Sequence, residues 1–431
     1  MCRYKKEKNL KKRDFFKRLC SAFLALGTAF TVLGFNASAA ATLSDAKNGL
    51  PFFYDSLTTD EKAIYARLRQ GVMNNEEKIN TYVIENADSY NRICELILYN
   101  DDLTFNLCGI SATTTGSHTT FTPTYDIDQF TYSLMVKEMQ KAAEKIAKKA
   151  RKIKDEYSRI EYIHDTIAEN VEYFPVNDPE IYVGFTHYAY GALCEGRAVC
   201  QGYSAAFAYV CRMSGIQCIT VYGTSRGESH SWNKVLCDGK WYNVDLTWDD
   251  PVSNFKDNVT HSYFMLSDLE IAKDHTLKSV TGTDMPTEGS REYFSEHGLA
   301  AKDNSSALKL LETLLTEQAE KGGKTATISL QDNRSFKNFV NHLEYNDRKR
   351  MKTLLQSVKK ASKADINTKA TWYIADAERR TVTVVLVYKN AKLSDYFNAP
   401  ELIDEENLDT YKKMGIKIDI PEKTEEKAVE K

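Results

Sequence analysis

Asp238-Gly239 separates two runs of β-prone residues, SWNKVLC and KWYNV, and leaves the chain around it little freedom. A two-residue Asp-Gly loop forms a turn whose twist matches that of the strands it joins, so residues 230–245 read as a β-hairpin. If that turn sets the register, facing residues have numbers that sum to 477: Cys237 faces Lys240, Leu236 faces Trp241, and Trp232 lies opposite Asp245. Side chains alternate between faces, so His230 and Trp232 share a face with Asp245. His230 and Asp245 are diagonal neighbours, at a backbone separation of about 7–8 Å. A slip of one residue would put Asp245 on the other face.

Upstream, AVCQGYSAAFAYVCRMSG reads as a helix over 201–214, with Phe207, Val210 and Cys211 toward a core and Gly215 as its stop. Cys200 falls in its first turn, where unpaired N–H groups and the helix dipole favour negative charge. A thiolate there, beside an imidazolium, has a lowered pKa and is a good nucleophile. Asp245 would fix the histidine tautomer, and the backbone N–H of Cys200 would face a developing oxyanion. Singly, each residue has an ordinary reading: a buried cysteine, a strand histidine, an edge-strand acid. Jointly, Cys200, His230 and Asp245 read as a nucleophilic triad. Gln201, Trp232 and Asn233 are the candidate substrate-binding residues, with Trp232 also placed to keep water from the His–Asp pair. Asp249 and Asp250 read as a turn before Pro251, while His164 and His187 have no paired carboxylate at a telling spacing.

The first eighteen residues carry nine Lys or Arg against two acids, an apolar run to Phe35 follows, and Ala37-Ser38-Ala39 closes the segment. That order reads as a signal peptide, residues 1–39, and makes the chain an exported, cell-surface or extracellular protein with no membrane association beyond it. Without these residues the net charge moves from −3 to −10, which argues against a nucleic-acid partner. Seven of the nine cysteines remain, an odd number that leaves at least one thiol unpaired, and the other six could pair in fifteen ways. None has C-x-x-C spacing, which argues against a structural zinc site; no metal and no cofactor is assigned. Residues 44–127 read as mainly helical, with 109–125 as loop or irregular strand. Residues 128–275 form the domain that holds the three candidate catalytic residues, with an apolar stripe of Met135, Met139, Ala142, Ile146 and Ala150. A linker, 276–306, precedes an α+β unit, 307–420, and a charged tail, 421–431.

GALCEGRAVCQGYSAAFAYVCRMSGIQCITVYG followed by SHSWNKVLCDGKWYNVDLTWDDP resembles the bacterial transglutaminase-like domain of the papain-like superfamily. The resemblance spans roughly residues 130–275. It implies an α+β core in which a cysteine-bearing helix packs on an antiparallel sheet, with Cys200 as nucleophile, His230 as general base and acid, and Asp245 as orienter. The Cys-Gly-Ser-Cys-Trp motif of the papain group proper is absent, and calcium dependence has no support. The implied activity is acyl transfer through a thioester, on a protein or peptide substrate such as a cell-wall peptide. Water as acceptor gives a peptidase or amidase, and a lysine amine gives a cross-linking transglutaminase. A non-catalytic surface-binding module is the alternative from a different class.

Overall fold

The computed structural model describes residues 54, 56–83, 87–174, 184–250, 259–278, 287, 289–397 and 405–418. The signal segment and the charged tail therefore lie outside the described residues.

Helix α1, Thr59–Met73, starts in a capping box between Thr58 and Glu61 and buries Ile64, Leu68 and Val72, as their four-residue spacing predicts. Strand β1 (Ile79–Tyr82), helix α2 (Ala87–Glu95) and strands β2 (Leu107–Thr115) and β3 (His118–Tyr125) follow, forming an antiparallel sheet in the order β1-β3-β2. Residues 109–125 are thus a regular hairpin and not a loop. Thr115 pairs with His118 across Gly116-Ser117, and Gly116 supplies the positive φ (57°) that the turn needs. The threonines are β-branched and suit a half-exposed strand, which makes the region mixed and not mainly helical.

Helices α3 (Gln129–Ala150) and α4 (Glu156–Ala168) form the next layer. On α3 the buried face is Met139, Ala143, Ala147 and Ala150, about one residue round from the expected stripe. Small alanines at that spacing let α3 lie close against the cysteine-bearing helix. Short parallel strands β4 (Glu172–Tyr173) and β5 (Arg197–Ala198) lead into α5, Cys200–Met213. Then come β6 (Cys218–Ser225), β7 (Glu228–Cys237), β8 (Lys240–Val244), the single turns α6 (Leu246–Asp249) and α7 (Asp268–Ile271), and β9 (His275–Leu277). They make an antiparallel sheet in the order β8-β7-β6-β9. The β7–β8 register is the one that Asp238-Gly239 dictates, with Cys237 opposite Lys240 and Leu236 opposite Trp241.

This sheet is covered on both faces. Val235, Cys237, Tyr242 and Val244 join α3, α4 and α5 in one core, while Ile219, Val221 and Trp232 join α1, α2 and β3 in another. The architecture is α+β, a cysteine-bearing helix packed on an antiparallel sheet.

Residues 276–306 do more than link. Leu277 ends β9, α8 (Tyr293–Glu296) packs beside α4, and β10 (Ala300–Ala301) is an edge strand parallel to β11. The last unit comprises α9 (Asn304–Lys321), β11 (Thr325–Leu330), α10 (Asn333–Ser362, broken at Tyr345–Arg348), β12 (Trp372–Asp376), β13 (Thr381–Val385) and α11 (Glu405–Lys413), with sheet order β10-β11-β13-β12. Among the described residues no helix is long and apolar enough to cross a membrane.

Candidate active site

Cys200 is the first residue of α5. The N-cap, Val199, is extended and offers no side-chain cap, so the first-turn N–H groups stay available to charge developing in front of the helix. Gly202 is needed one turn in: a Cβ there would sit 2.3 Å from the Thr186 carbonyl oxygen. The helix is fixed to β7 by polar contacts beneath the sulfur. The Ser204 and Ser231 hydroxyls lie 3.1 Å apart, and Asn233 Nδ2 donates to the carbonyls of Ser204 (2.9 Å) and Ile219 (3.2 Å).

His230, near the start of β7, donates from Nε2 to Asp245 Oδ2 at 2.7 Å. That leaves Nδ1 to face the Cys200 sulfur, whose ionisation is coupled to His230 and Ser231. Asp245 stands just past the end of β8 as the N-cap of α6. Its Oδ1 accepts from the N–H groups of Thr247 (3.0 Å) and Trp248 (3.3 Å), and its own N–H donates to the Tyr263 carbonyl (3.1 Å). A carboxylate so surrounded by donors is held ionised although it is buried.

Burial alone would lower the His230 pKa, but the Asp245 charge and hydrogen bond, with the sulfur opposite, lift it to about 10. Burial would likewise raise the Cys200 thiol, yet His230 and Ser231 bring it below the ordinary range. All seven cysteines of the described residues are free thiols. Burial pushes Cys94 up to about 11 and both Cys194 and Cys237 to about 12, opposite in direction to Cys200. Both shifts run in the direction that favours a thiolate–imidazolium pair.

Two candidate substrate-binding residues are corrected by the structure. Trp232 is 1% exposed, packed within the core beneath the N-terminal unit, with Nε1 donating to Asn243 Oδ1 at 3.0 Å. Its ring lies 6.2 Å from that of His230 and nearly parallel, so it walls the imidazole from water. Asn233 is fully buried and ties β7 to α5. Neither can touch a substrate, because layers cover both faces of the sheet. Gln201, half-buried beside Cys200, is the remaining candidate of the three.

The structure adds groups that local sequence did not reveal. His275 is fully buried and donates from Nε2 to the same Asp245 Oδ2, at 2.9 Å. It sits on β9, which reaches β6 only because Gly223 has no side chain: a Cβ there would lie 2.0 Å from the Thr276 carbonyl oxygen. His164 also has carboxylate partners, contrary to expectation: Nδ1 is 2.9 Å from Asp165 and Nε2 is 3.2 Å from Asp249. Asp249 comes from 85 residues downstream, so no spacing could announce it. His164, Asp165 and His261 bring three possible cation ligands within 4.8 Å of one another, all engaged in hydrogen bonds within the group.

Residues 144–246 match the family model of the transglutaminase-like superfamily. The mouse and human kyphoscoliosis peptidases are each 33% identical to the chain over 93 residues, covering 18% of this chain and 14% of theirs. The chain thus spans about a seventh of the length of these curated relatives. Among solved structures, a TGase is 16% identical with a TM-score of 0.24, over 39% of this chain and 50% of that one. The periplasmic domain of TgpA from Pseudomonas aeruginosa is 15% identical with a TM-score of 0.22, over 30% and 54%. By the family match, this chain carries a domain of the transglutaminase-like superfamily.

Proposed function

We propose that the chain is an exported, cysteine-dependent acyl-transfer enzyme that cleaves peptide or glutamine amide bonds through a thioester on Cys200. The observation that carries the reading is His230 held at 2.7 Å by the buried carboxylate of Asp245, with Cys200 at the start of α5, the thiol lowered and the imidazole raised. The sulfur attacks the carbonyl carbon and the π pair moves to oxygen, where the N–H of Cys200 donates to the oxyanion. His230 passes its proton to the departing nitrogen, the C–N bond breaks, and the thioester remains. The now neutral imidazole takes a proton from water as the water oxygen attacks the thioester, releasing the acid and restoring the ion pair. Asp245 stays ionised throughout and holds the Nε2–H.

Hydrolysis is the preferred outcome, supported by the similarity to the kyphoscoliosis peptidases and by the abundance of water outside the cell. Export rests on the basic, apolar and small-residue order of residues 1–39. The experiment incubates the purified protein with a glutamine-containing protein and a fluorescent amine. Wild type should release ammonia or new peptide ends, and Cys200→Ser should not. Incorporated amine would make it a cross-linking transglutaminase instead. Neither product would leave a surface-binding module.

A further inference from the structure

The polar chain behind the triad continues into the C-terminal unit. His275, sharing Asp245 Oδ2 with His230, bonds through Nδ1 to Asp274 Oδ1 at 2.6 Å. Asp274 in turn takes Arg379 Nη2 on Oδ1 at 2.5 Å and the Tyr263 hydroxyl on Oδ2 at 2.7 Å. Arg379 arrives from the turn between β12 and β13, 105 residues downstream of Asp274. Its other nitrogen, Nη1, donates to the Glu270 carbonyl (2.9 Å), and its guanidinium lies 4.2 Å over the Tyr263 ring. The side chains of Asp274 and Arg379 are each 2% exposed. Burying an arginine this far from its own unit carries a desolvation cost, which Asp274 and the Glu270 carbonyl offset.

The turn is built to present that side chain. Asp376 Oδ1 accepts from the N–H groups of Glu378 and Arg379 (2.9 and 3.0 Å), which fixes the loop, and Arg380 next to it has a positive φ of 56°. The neighbours on either side also face opposite charge. Arg380 lies 3.5 Å from Glu270 and 3.8 Å from Glu292, and Glu378 lies 3.4 Å from Arg226. Arg226 in turn covers Trp248 at 4.2 Å and donates its N–H to the Asp274 carbonyl.

We propose that Arg379 is a positioning residue for the Cys200–His230–Asp245 site, so that the C-terminal unit completes the site instead of being merely tethered to it. The inference rests on the thiolate–imidazolium reading above. From sulfur to guanidinium the charges alternate: thiolate, imidazolium, Asp245, His275, Asp274, Arg379. Arg379 neutralises Asp274, which leaves His275 free to share its other edge with Asp245. Without that cation Asp274 draws His275 to itself, Asp245 loses a donor, and His230 is held less firmly toward the sulfur. One positive charge also leaves a poorly screened chain. Both changes disfavour the thiolate.

The test follows alkylation of Cys200 by iodoacetamide against pH in the full chain, read by peptide mass spectrometry, with exposed Cys108 as the reference thiol in the same molecule. Wild type should alkylate Cys200 faster than Cys108 at pH 6. Arg379→Met should slow Cys200 about ten-fold at pH 6 while matching wild type within about two-fold at pH 9, the signature of a raised thiol pKa. Arg379→Lys, which keeps the charge, should recover most of the rate. If Arg379→Met does not fold, Arg379→Gln, whose amide can still donate to Asp274, gives the same comparison. An activated wild type whose profile the Met or Gln variant reproduces overturns the inference and leaves the triad standing. So does slowing by one factor at every pH, which marks a purely structural role. Wild-type Cys200 no faster than Cys108 at pH 6 overturns the triad reading itself, and the inference with it.

Discussion

Asp245 gathers four donors on two oxygens: His230 and His275 on Oδ2, and the N–H groups of Thr247 and Trp248 on Oδ1. An amide in its place would present N–H to N–H on one side, so Asp245→Asn should leave the fold in place and misorient His230. We expect activity to fall by about 10³–10⁴-fold, the scale for losing the orienting acid of a triad, with thermal stability changed far less. Steady-state rates beside a thermal melt check this, and an equal loss in both would make Asp245 a structural cap only. At this scale much of the site was legible. Cys200 follows from a helix start, and the His230–Asp245 diagonal follows from one Asp-Gly turn, because a two-residue loop fixes the register. His275 was not legible, since β9 adds to the sheet by a long-range pairing that no local signal encodes. Nor was the burial of Trp232 and Asn233, because alternation along a strand gives its faces but not what covers them.

Helix α5 and strand β7 act as one piece. Ser204–Ser231 and Asn233 tie them directly behind the sulfur and the imidazole, and Gly202 lets the turn at Gly184–His187 press onto the helix. A methyl group on Gly202 would meet backbone, which cannot swing aside. Gly202→Ala should therefore lose about 1–3 kcal/mol, measured by urea unfolding, and should also slow Cys200 alkylation. An unchanged unfolding midpoint would show that the Thr186 carbonyl moves freely. The β2–β3 hairpin was only half legible, as loop or irregular strand, for a related reason. A threonine-rich stretch reads as loop by polarity, whereas its β-branching and the Gly116-Ser117 pair are the signals that pairing with β1 makes decisive.

Across the molecule, the N-terminal unit covers one face of the β6–β9 sheet and the C-terminal unit reaches the site through Arg379. Stability should respond to pH through buried ion pairs. His230 is raised to about 10 and His164 to about 9, the latter by Asp165 and Asp249 against the effect of burial. Groups raised above their unfolded value of 6.5 stabilise fully below it, and the contribution is lost as pH climbs through 9 and 10. Asp274, which burial would raise, is lowered to about 2 by His275, Tyr263 and Arg379, so its contribution is present above 3.8 and lost as pH falls toward 2. Denaturant midpoints should be highest between about pH 4 and 6.5 and decline on both sides. A midpoint level from pH 6 to 10 would contradict the histidine assignments.

The most direct measurement is the ultraviolet absorbance of thiolate against pH, taken as wild type minus Cys200→Ser. The ion pair predicts a thiolate signal already present at mildly acidic pH and displaced upward in His230→Ala. A signal arising only near pH ~8.5, as for a free cysteine, and indifferent to His230 would contradict it.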